Sequence, residues 1–356
     1  MTGISIRQRI ALEMHRQLIM EQKEKHPLRQ LFWECTLRCN LHCRHCGSDC
    51  HISSCTPDMP FEDFRKVLLR VKEKCDPHHV MVILTGGEPL MRKDLEKCGR
   101  SIYDMEFPWG LVTNGVLMTP ARAEALLNAG LHSATVSLDG FLPDHEWMRG
   151  VPGCFGRVEE AVRILSGEPS LKFDVVTCVN RRNYPTLGEF KEYLVSLGVG
   201  HWRLFTVFPV GRAADDPALQ LDREQFTGLM EFIYKVRKEG RISASYGCEG
   251  FLGSYEGKVR DYLYTCQAGL STASVLSDGS ISACPSIRSD YHQGNIYEDD
   301  FMEVWENRFS PYRDRQWMKK GKCSGCRWFR YCEGNGMHLR DDNGNPILCH
   351  LDRINQ

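Results

Sequence analysis

The sequence lacks three features that mark large classes of proteins. It has no apolar run long enough for a transmembrane helix, and it does not begin with a signal peptide. It has no surplus of basic residues either, because its 45 Lys and Arg are balanced by 46 Asp and Glu, giving a net charge of −1. Nucleic-acid binding depends on neutralising phosphates, so this balance argues against it. These absences predict a cytoplasmic protein with no membrane span and no nucleic-acid partner.

Cysteine, in contrast, is abundant. The chain has 17 cysteines in 356 residues, and several lie at C-x2-C spacing. Disulfides are rare in a reducing cytosol, so clustered cysteines there indicate bound metal. A hydrophobic content of 42% allows a substantial core, and the length suggests one large domain with a smaller one.

The most informative cysteines are Cys39, Cys43 and Cys46, at spacing C-x3-C-x2-C. Iron–sulfur clusters are held by Cys thiolates. Three thiolates would bind three irons of a [4Fe–4S] cluster and leave the fourth iron open to a reactive ligand. A zinc site or a set of ordinary buried thiols are the alternatives for this group.

Further motifs follow strand-like segments. Gly86, Gly87 and Glu88 come directly after a short apolar run. Two glycines let the backbone approach a ligand closely, although a plain strand-to-helix turn would use them too. Ser137 ends a later strand, and Arg149 follows twelve residues after it. A guanidinium suits a carboxylate ligand, although in isolation Arg149 would be read as a surface residue.

Together these motifs make the chain resemble the radical S-adenosylmethionine (SAM) superfamily. The resemblance implies that the open iron binds the amino and carboxylate groups of SAM. One electron from the cluster then cleaves SAM to a 5′-deoxyadenosyl radical. It also implies contacts to SAM from the residues that match the family motifs. These are His45 near the adenine, Gly86, Gly87 and Glu88 at the amino group, and Ser137 and Arg149 at the ribose and carboxylate.

Strand-like and helical segments alternate through the first two thirds of the chain. Such alternation predicts an α/β fold with a parallel sheet covered by helices, and the motifs fall at the carboxyl ends of strands. The resemblance implies a partial (βα)6 barrel over residues 28–240. The predicted strands are 30–34, 80–84, 110–113, 134–138, 173–179 and 202–208. The predicted helices are 61–73, 93–103, 120–129, 156–166, 187–197 and 223–238.

The first 27 residues are predicted to form an amphipathic helix. Ile6, Ile10, Met14 and Leu18 recur every four residues among charged side chains. Packing of this helix on the barrel is the simpler interpretation, and docking of a partner is the alternative. The segment is too short for the small peptide-binding module that related enzymes often carry.

The C-terminal region, residues 241–356, has little periodicity and many cysteines. Cys323, Cys326, Cys332 and Cys349 begin with the spacing C-x2-C-x5-C. This region resembles the SPASM domain, a small irregular extension that carries auxiliary iron–sulfur clusters. The resemblance implies that these four thiols hold a complete second auxiliary [4Fe–4S] cluster, with a four-Cys zinc site as the alternative.

The first auxiliary cluster departs from the family pattern. Cys266 and Cys284 match two of its ligands, but Gly336 and Arg260 stand where the others usually lie. Cys248 is the only nearby replacement. This cluster therefore has three Cys ligands and an open iron, or is smaller, or is absent. The total is two or three clusters.

The expected activity is hydrogen abstraction from a peptide or protein side chain, giving a crosslink or an oxidation. An auxiliary cluster would take up the remaining electron or hold a substrate thiolate, and a flavodoxin or ferredoxin would supply electrons. Pro285 replaces the Asp of sulfatase-maturating enzymes, which disfavours formylglycine formation. The sequence around the first cysteines also faintly resembles that of a subgroup paired with a small lipoprotein. The alternatives are a small-molecule substrate such as a porphyrin and a non-catalytic electron carrier, which would not need the SAM motifs.

For two sets of residues, the spacing in the sequence does not indicate a specific role. The acid–base candidates are Glu249, Asp278, His201 and Tyr246. The thiols expected to be free are Cys35, Cys50, Cys55, Cys75, Cys98, Cys154 and Cys178.

Overall fold

The computed structural model describes residues 4–354, and its strands form one ten-stranded sheet. The first seven strands are parallel and adjacent in chain order, and β8 pairs in parallel with the other edge of β1. The strands β8, β9 and β10 then form an antiparallel extension. The strands are β1 Gln30–Thr36, β2 Met81–Gly86, β3 Trp109–Thr113, β4 Leu131–Ser137, β5 Lys172–Val179, β6 His201–Thr206, β7 Ser243–Tyr246, β8 Thr272–Val275, β9 Ser280–Ser282 and β10 Gly294–Asn295.

Helices connect successive parallel strands, as right-handed crossovers require. The helices are α1 Ile6–Lys25, α2 Phe61–Lys74, α3 Leu95–Asp104, α4 Pro120–Asn128, α5 Leu142–Arg149, α6 Phe155–Ser166, α7 Leu187–Ser196, α8 Arg223–Glu239, α9 Phe301–Asn307, α10 Ser310–Arg313, α11 Phe329–Cys332 and α12 His350–Arg353.

The predicted fold class is confirmed. All six predicted strands and the six predicted helices between and after them are present, with ends that differ by a few residues. Two barrel elements were not predicted, the helix α5 and the strand β7. Both are short, and α5 fills most of the stretch from Ser137 to its own last residue, Arg149.

The outward face of the sheet carries large buried aromatic side chains that pack under the helices. Trp33 of β1 stacks on Phe64 of α2 with ring centroids 4.6 Å apart. Trp202 of β6 lies between Phe190 of α7 and Phe232 of α8. Successive side chains of a strand point to opposite faces. The neighbours of these tryptophans therefore face the interior of the barrel.

The helix α1 packs differently from the expected arrangement. Its buried side chains are Leu12 and Ile19, and its Gln8 side chain donates to the carbonyl oxygens of Ser254 and Glu256. It therefore lies against the C-terminal region rather than against the outer helices of the barrel. The four residues of the predicted apolar stripe are exposed: Ile6 by 79%, Ile10 by 56%, Met14 by 65% and Leu18 by 64%.

The predicted N-terminal segment includes residues 1–3, and the predicted C-terminal domain includes residues 355 and 356, all of which lie outside the described part. Between residues 4 and 354, no helix is both long and apolar enough to cross a bilayer.

Candidate active site

The loop with Cys39, Cys43 and Cys46 follows β1 and is held by the end of α5. The amide of His42 donates to the carbonyl oxygen of Arg149 at 3.1 Å. Gly150 has φ +71°, and a Cβ on it would lie 2.3 Å from the carbonyl oxygen of His42. Only glycine permits this close approach. The end of the unpredicted helix α5 therefore contacts the cysteine loop directly and fixes its path.

Each thiol of the triplet has a nitrogen donor close to its sulfur. The pairs are Asn114 Nδ2 to Cys39 Sγ at 3.9 Å, Arg149 Nη1 to Cys43 Sγ at 3.7 Å, and the amide of Cys50 to Cys46 Sγ at 3.5 Å. Hydrogen bonds to the sulfurs are among the means by which a protein tunes an iron–sulfur cluster. The donor set therefore fits three cluster thiolates.

The same residues do not fit a single ion. In the part of the chain that the structure describes, no three His, Cys, Asp or Glu side chains are placed to hold one metal ion. A zinc site needs its ligands to converge at about 2.3 Å for sulfur. Cluster thiolates bind different irons and need no common point. The donor beside each sulfur of the triplet is the observation that fits a cluster there.

The two motif glycines let the end of β2 touch the start of the cysteine loop. The amide of Gly87 donates to the carbonyl oxygen of Thr36 at 2.7 Å. A Cβ on Gly86 would lie 2.1 Å from that oxygen, and one on Gly87 would lie 2.4 Å from the carbonyl oxygen of Arg38. Close packing of backbone on backbone therefore requires glycine at both positions.

Glu88 is fully buried and ties the end of β2 to the end of β3. Its carboxylate accepts hydrogen bonds from the amides of Leu90 (3.0 Å) and Asn114 (2.7 Å) and from Thr113 Oγ1 (2.7 Å). Burial raises its pKa, while these donors oppose the shift. Both carboxylate oxygens thus accept hydrogen bonds from the protein, and Glu88 holds the end of β3 beside the end of β2.

Arg149 lies between the cysteine loop and the end of β4. It is only 6% exposed, and its Nη2 lies 2.7 Å from Asp139 Oδ2. Although burial opposes ionisation of the carboxyl group, the Arg149 guanidinium lowers the pKa of Asp139. Ser137 is the last residue of β4 and is half-buried. Asp139 was not predicted, and its place directly after a strand is the signal that was available.

His45 is half-buried and lies next to Cys46. Its Nδ1 is buried without a hydrogen-bond partner. Burial lowers its pKa to about 4, so the ring is neutral at neutral pH. A neutral flat ring is compatible with the adenine contact that the family resemblance implies.

The central cavity of the barrel has a volume of about 1220 Å³. Three thiols from the C-terminal region line it, namely those of Cys248, Cys266 and Cys284. Inward side chains of six strands also line it: Phe32, Ile83, Leu111, Thr135, Asp174 and Arg203. The cysteine triplet and the residues predicted to contact SAM do not line it. The structure thus brings Cys248 together with the two matched ligands, which the sequence had left open.

The other four C-terminal cysteines line a separate cavity of about 330 Å³. They are Cys323, Cys326, Cys332 and Cys349. Arg340 is buried beside them, with Nη2 3.3 Å from Cys323 Sγ and further hydrogen bonds to the carbonyl oxygens of Gly334 and Gly344. Sequence reasoning did not single out this arginine.

The acid–base candidates lie in three different environments. Glu249 is buried and accepts hydrogen bonds from the Thr206 amide (2.6 Å), the Thr206 hydroxyl and the Tyr246 hydroxyl. His201 begins β6 and lines the central cavity. Asp278 lies on the exposed turn between β8 and β9, where it accepts from the Ser280 amide, so the structure keeps it out of the cavity wall.

Comparisons with known proteins agree with this geometry. A model of the radical SAM superfamily matches residues 33–193, and a model of the SPASM iron–sulfur cluster-binding domain matches residues 266–327. Among curated relatives, the AdoMet-dependent heme synthase of Oleidesulfovibrio alaskensis is 26% identical over 351 residues, covering 91% of this chain and 88% of that protein. The Methanosarcina barkeri protein of the same name is 29% identical, covering 86% and 90%. A mycofactocin maturase of Mycolicibacterium smegmatis is 28% identical, covering 89% and 80%.

Two groups of solved structures share the fold. Streptococcus suis SuiB bound to S-adenosylmethionine superposes with a TM-score of 0.69 at 17% identity, covering 97% of this chain and 83% of that one. anSMEcpe with bound AdoMet and a peptide superposes with a TM-score of 0.67 at 21% identity, covering 89% and 90%. Residues 33–193 therefore carry a radical SAM domain and residues 266–327 a SPASM domain, so the chain is a radical SAM enzyme whose cofactors are [4Fe–4S] clusters and SAM.

Proposed function

We propose that this enzyme removes a hydrogen atom from a side chain of a peptide or protein. Cys39, Cys43 and Cys46 would hold the cluster that binds SAM, and the bound cofactors supply the 5′-deoxyadenosyl radical. The donors on the three sulfurs support this assignment. A flavodoxin or ferredoxin in the cytoplasm would deliver the electron.

The chain contributes a rigid site around those cofactors. Glu88 and Asp139 are buried carboxylates that fix the ends of β2 and β4. Arg149 adds a positive charge beside Cys43. The proposed contacts to SAM remain those of the family motifs: His45, Gly86, Gly87, Glu88, Ser137 and Arg149.

The charge of the central cavity is the observation that carries the peptide proposal. Its charged lining residues, within the described chain, are Lys172, Arg203, Glu168 and Asp174. Two positive charges thus face two negative ones, and Arg203 is already paired with Asp174. A macrocycle with several carboxylates would favour a basic surplus, because buried charges need partners. A neutral side chain inserted from a peptide needs none.

A tetrapyrrole is the second candidate. It is favoured by the names of relatives, which include heme synthases, an Fe-coproporphyrin III synthase and a pre-heme d1 synthase. The cavity, at about 1220 Å³, exceeds the usual upper size of small-molecule pockets, roughly 1,000 Å³. Volume alone therefore accommodates either substrate.

Deuterium transfer distinguishes the two candidates. The reconstituted enzyme, reduced anaerobically with SAM, is incubated with the protein fraction or the tetrapyrrole fraction of cells grown in heavy water. We expect deuterium in 5′-deoxyadenosine only with the protein fraction, as measured by mass spectrometry. The Cys39, Cys43 and Cys46 to Ala variant is the control. Label delivered only by the tetrapyrrole fraction would overturn the peptide proposal and support the second candidate.

A further inference from the structure

The first auxiliary site has three thiols but lacks the fourth Cys that is usual in the family. Cys248, Cys266 and Cys284 line one cavity. Gly336, at one expected position, has no side chain. Arg260, at the other, is 1% exposed, donates to the carbonyl oxygen of Gly250 at 2.6 Å and lies over the ring of Tyr264. Neither residue can bind iron in place of the missing Cys.

His338 lies two residues after Gly336 and lines the same cavity as the thiols. It is 9% exposed, and its ring packs on Phe208 with centroids 4.8 Å apart. Its Nε2 is buried and has no hydrogen-bond partner. Buried polar atoms nearly always have a partner, and one without it points to a bound ligand or a functional role.

The backbone around His338 is fixed against the site. The Met337 amide forms a hydrogen bond to the thiol of Cys266. A Cβ at Gly336 would lie 2.7 Å from His338 Cε1 and 3.0 Å from its Nδ1. Glycine at 336 is therefore what allows the imidazole to fold back over the main chain. The residue that replaces the family's Cys makes room for the histidine.

We propose that His338, through Nε2, is the fourth protein ligand of the first auxiliary cluster, together with Cys248, Cys266 and Cys284. Imidazole is an established substitute for thiolate in iron–sulfur clusters, where it raises the reduction potential. With four protein ligands the cluster has no open iron for a substrate thiolate. Its role is then to accept the electron that remains after hydrogen abstraction. This inference holds for either substrate class.

The test uses the holoenzyme with Cys39, Cys43 and Cys46 changed to Ala, so that only auxiliary clusters remain. We expect roughly eight irons per chain, from two four-iron clusters. In the reduced protein, electron–nuclear double resonance should detect a strongly coupled nitrogen, and labelling with ¹⁵N-histidine should identify it. The signal should be lost in His338→Ala and in His338→Cys. The latter should keep the iron and lower the potential.

His201→Ala is the matched control, because His201 lines the same cavity and should leave the nitrogen signal unchanged. If His338→Ala loses iron by misfolding, His338→Cys still decides the question. The proposal is overturned by a parent protein without the coupled nitrogen, by a coupling that persists in His338→Cys, or by roughly four irons per chain, which would mean that the first auxiliary cluster is absent.

Discussion

The barrel and the C-terminal region differ in the buried groups that fix the backbone near their cysteines. In the barrel, the carboxylates of Glu88 and Asp139 accept backbone N–H groups at strand ends. In the C-terminal region, Arg315 donates to the carbonyl oxygens of Tyr312, Asn335, Cys266 and Ala268, and Arg340 likewise donates to backbone carbonyls near its four cysteines.

The difference follows from the backbone. Where parallel strands turn into helices, the first turns leave N–H groups without partners, and a buried carboxylate satisfies them. An irregular chain of short turns leaves carbonyl oxygens instead, and one guanidinium offers five donors in a fixed plane. At these positions the barrel therefore uses buried acceptors, whereas Arg315 and Arg340 supply donors to the irregular backbone around the C-terminal cysteines.

The largest effect should come from the cysteine triplet. Changing Cys39, Cys43 and Cys46 to Ala should abolish formation of 5′-deoxyadenosine, because no cluster remains to bind SAM. The C-terminal iron should stay, since its ligands come from another part of the chain. Iron analysis and chromatography of the products measure both. Cys55→Ala, an exposed thiol of the same loop, is the control and should keep full activity. SAM cleavage by the triple variant would refute the site.

Replacing Arg340, which lies beside the four C-terminal cysteines, should have the next largest effect. Arg340→Gln should leave buried carbonyl oxygens and a cluster thiol without donors, at a cost of roughly 3 kcal/mol. We expect loss of roughly four irons per chain, with cleavage of SAM retained. Metal analysis and thermal unfolding test this. Arg327→Gln, an exposed neighbour, should change neither. Full iron content in Arg340→Gln would contradict the role of this arginine.

Two glycines near the cysteine loop provide a matched test in the barrel. Gly150 and Gly153 both have positive φ, +71° and +78°, but only at Gly150 would a Cβ collide, with the carbonyl oxygen of His42. The left-handed conformation costs each alanine variant about 1–2 kcal/mol. Gly150→Ala should lose roughly 2 kcal/mol more and bind SAM more weakly, because it displaces the cysteine loop. Equal unfolding midpoints for the two variants would contradict this account.

The smallest effect should be a pH dependence at the contact between α1 and the C-terminal region. Burial lowers the pKa of His15, whose Nε2 lies 2.8 Å from Thr265 Oγ1. The unfolded chain therefore binds the proton more readily, so stability should fall as the pH drops below about 6.5. His15→Gln should lose less stability than the wild type between pH 8 and pH 5.5 in urea unfolding. The exposed His132→Gln should lose stability as the wild type does. If His15→Gln loses as much stability as the wild type over this pH range, His15 is not the source of the pH dependence.

Much of the site was predictable because it is local in sequence. The spacing of Cys39, Cys43 and Cys46 brings three thiols into one loop whatever the rest of the chain does. Gly86 and Gly87 follow a strand, and the carboxyl ends of parallel strands meet at one edge of a sheet. The residues that were missed act across long separations. Asn114 reaches the Cys39 sulfur from the end of β3, and the contact of Arg149, itself predicted as a SAM contact, with the Cys43 sulfur was not foreseen.

The sequence by itself determined the chemistry of this protein, because the ligand types and their spacing define a cluster, and alternating patterns define a parallel sheet. Tertiary structure decided which distant residues complete the sites. It brought Cys248 and His338 into the cavity of Cys266 and Cys284, and it turned Leu12 and Ile19 of α1 inward, leaving the four-residue periodic stripe exposed. Periodicity shows that a helix has an apolar face, but only the shape and charge of the surface beneath it determine which side packs.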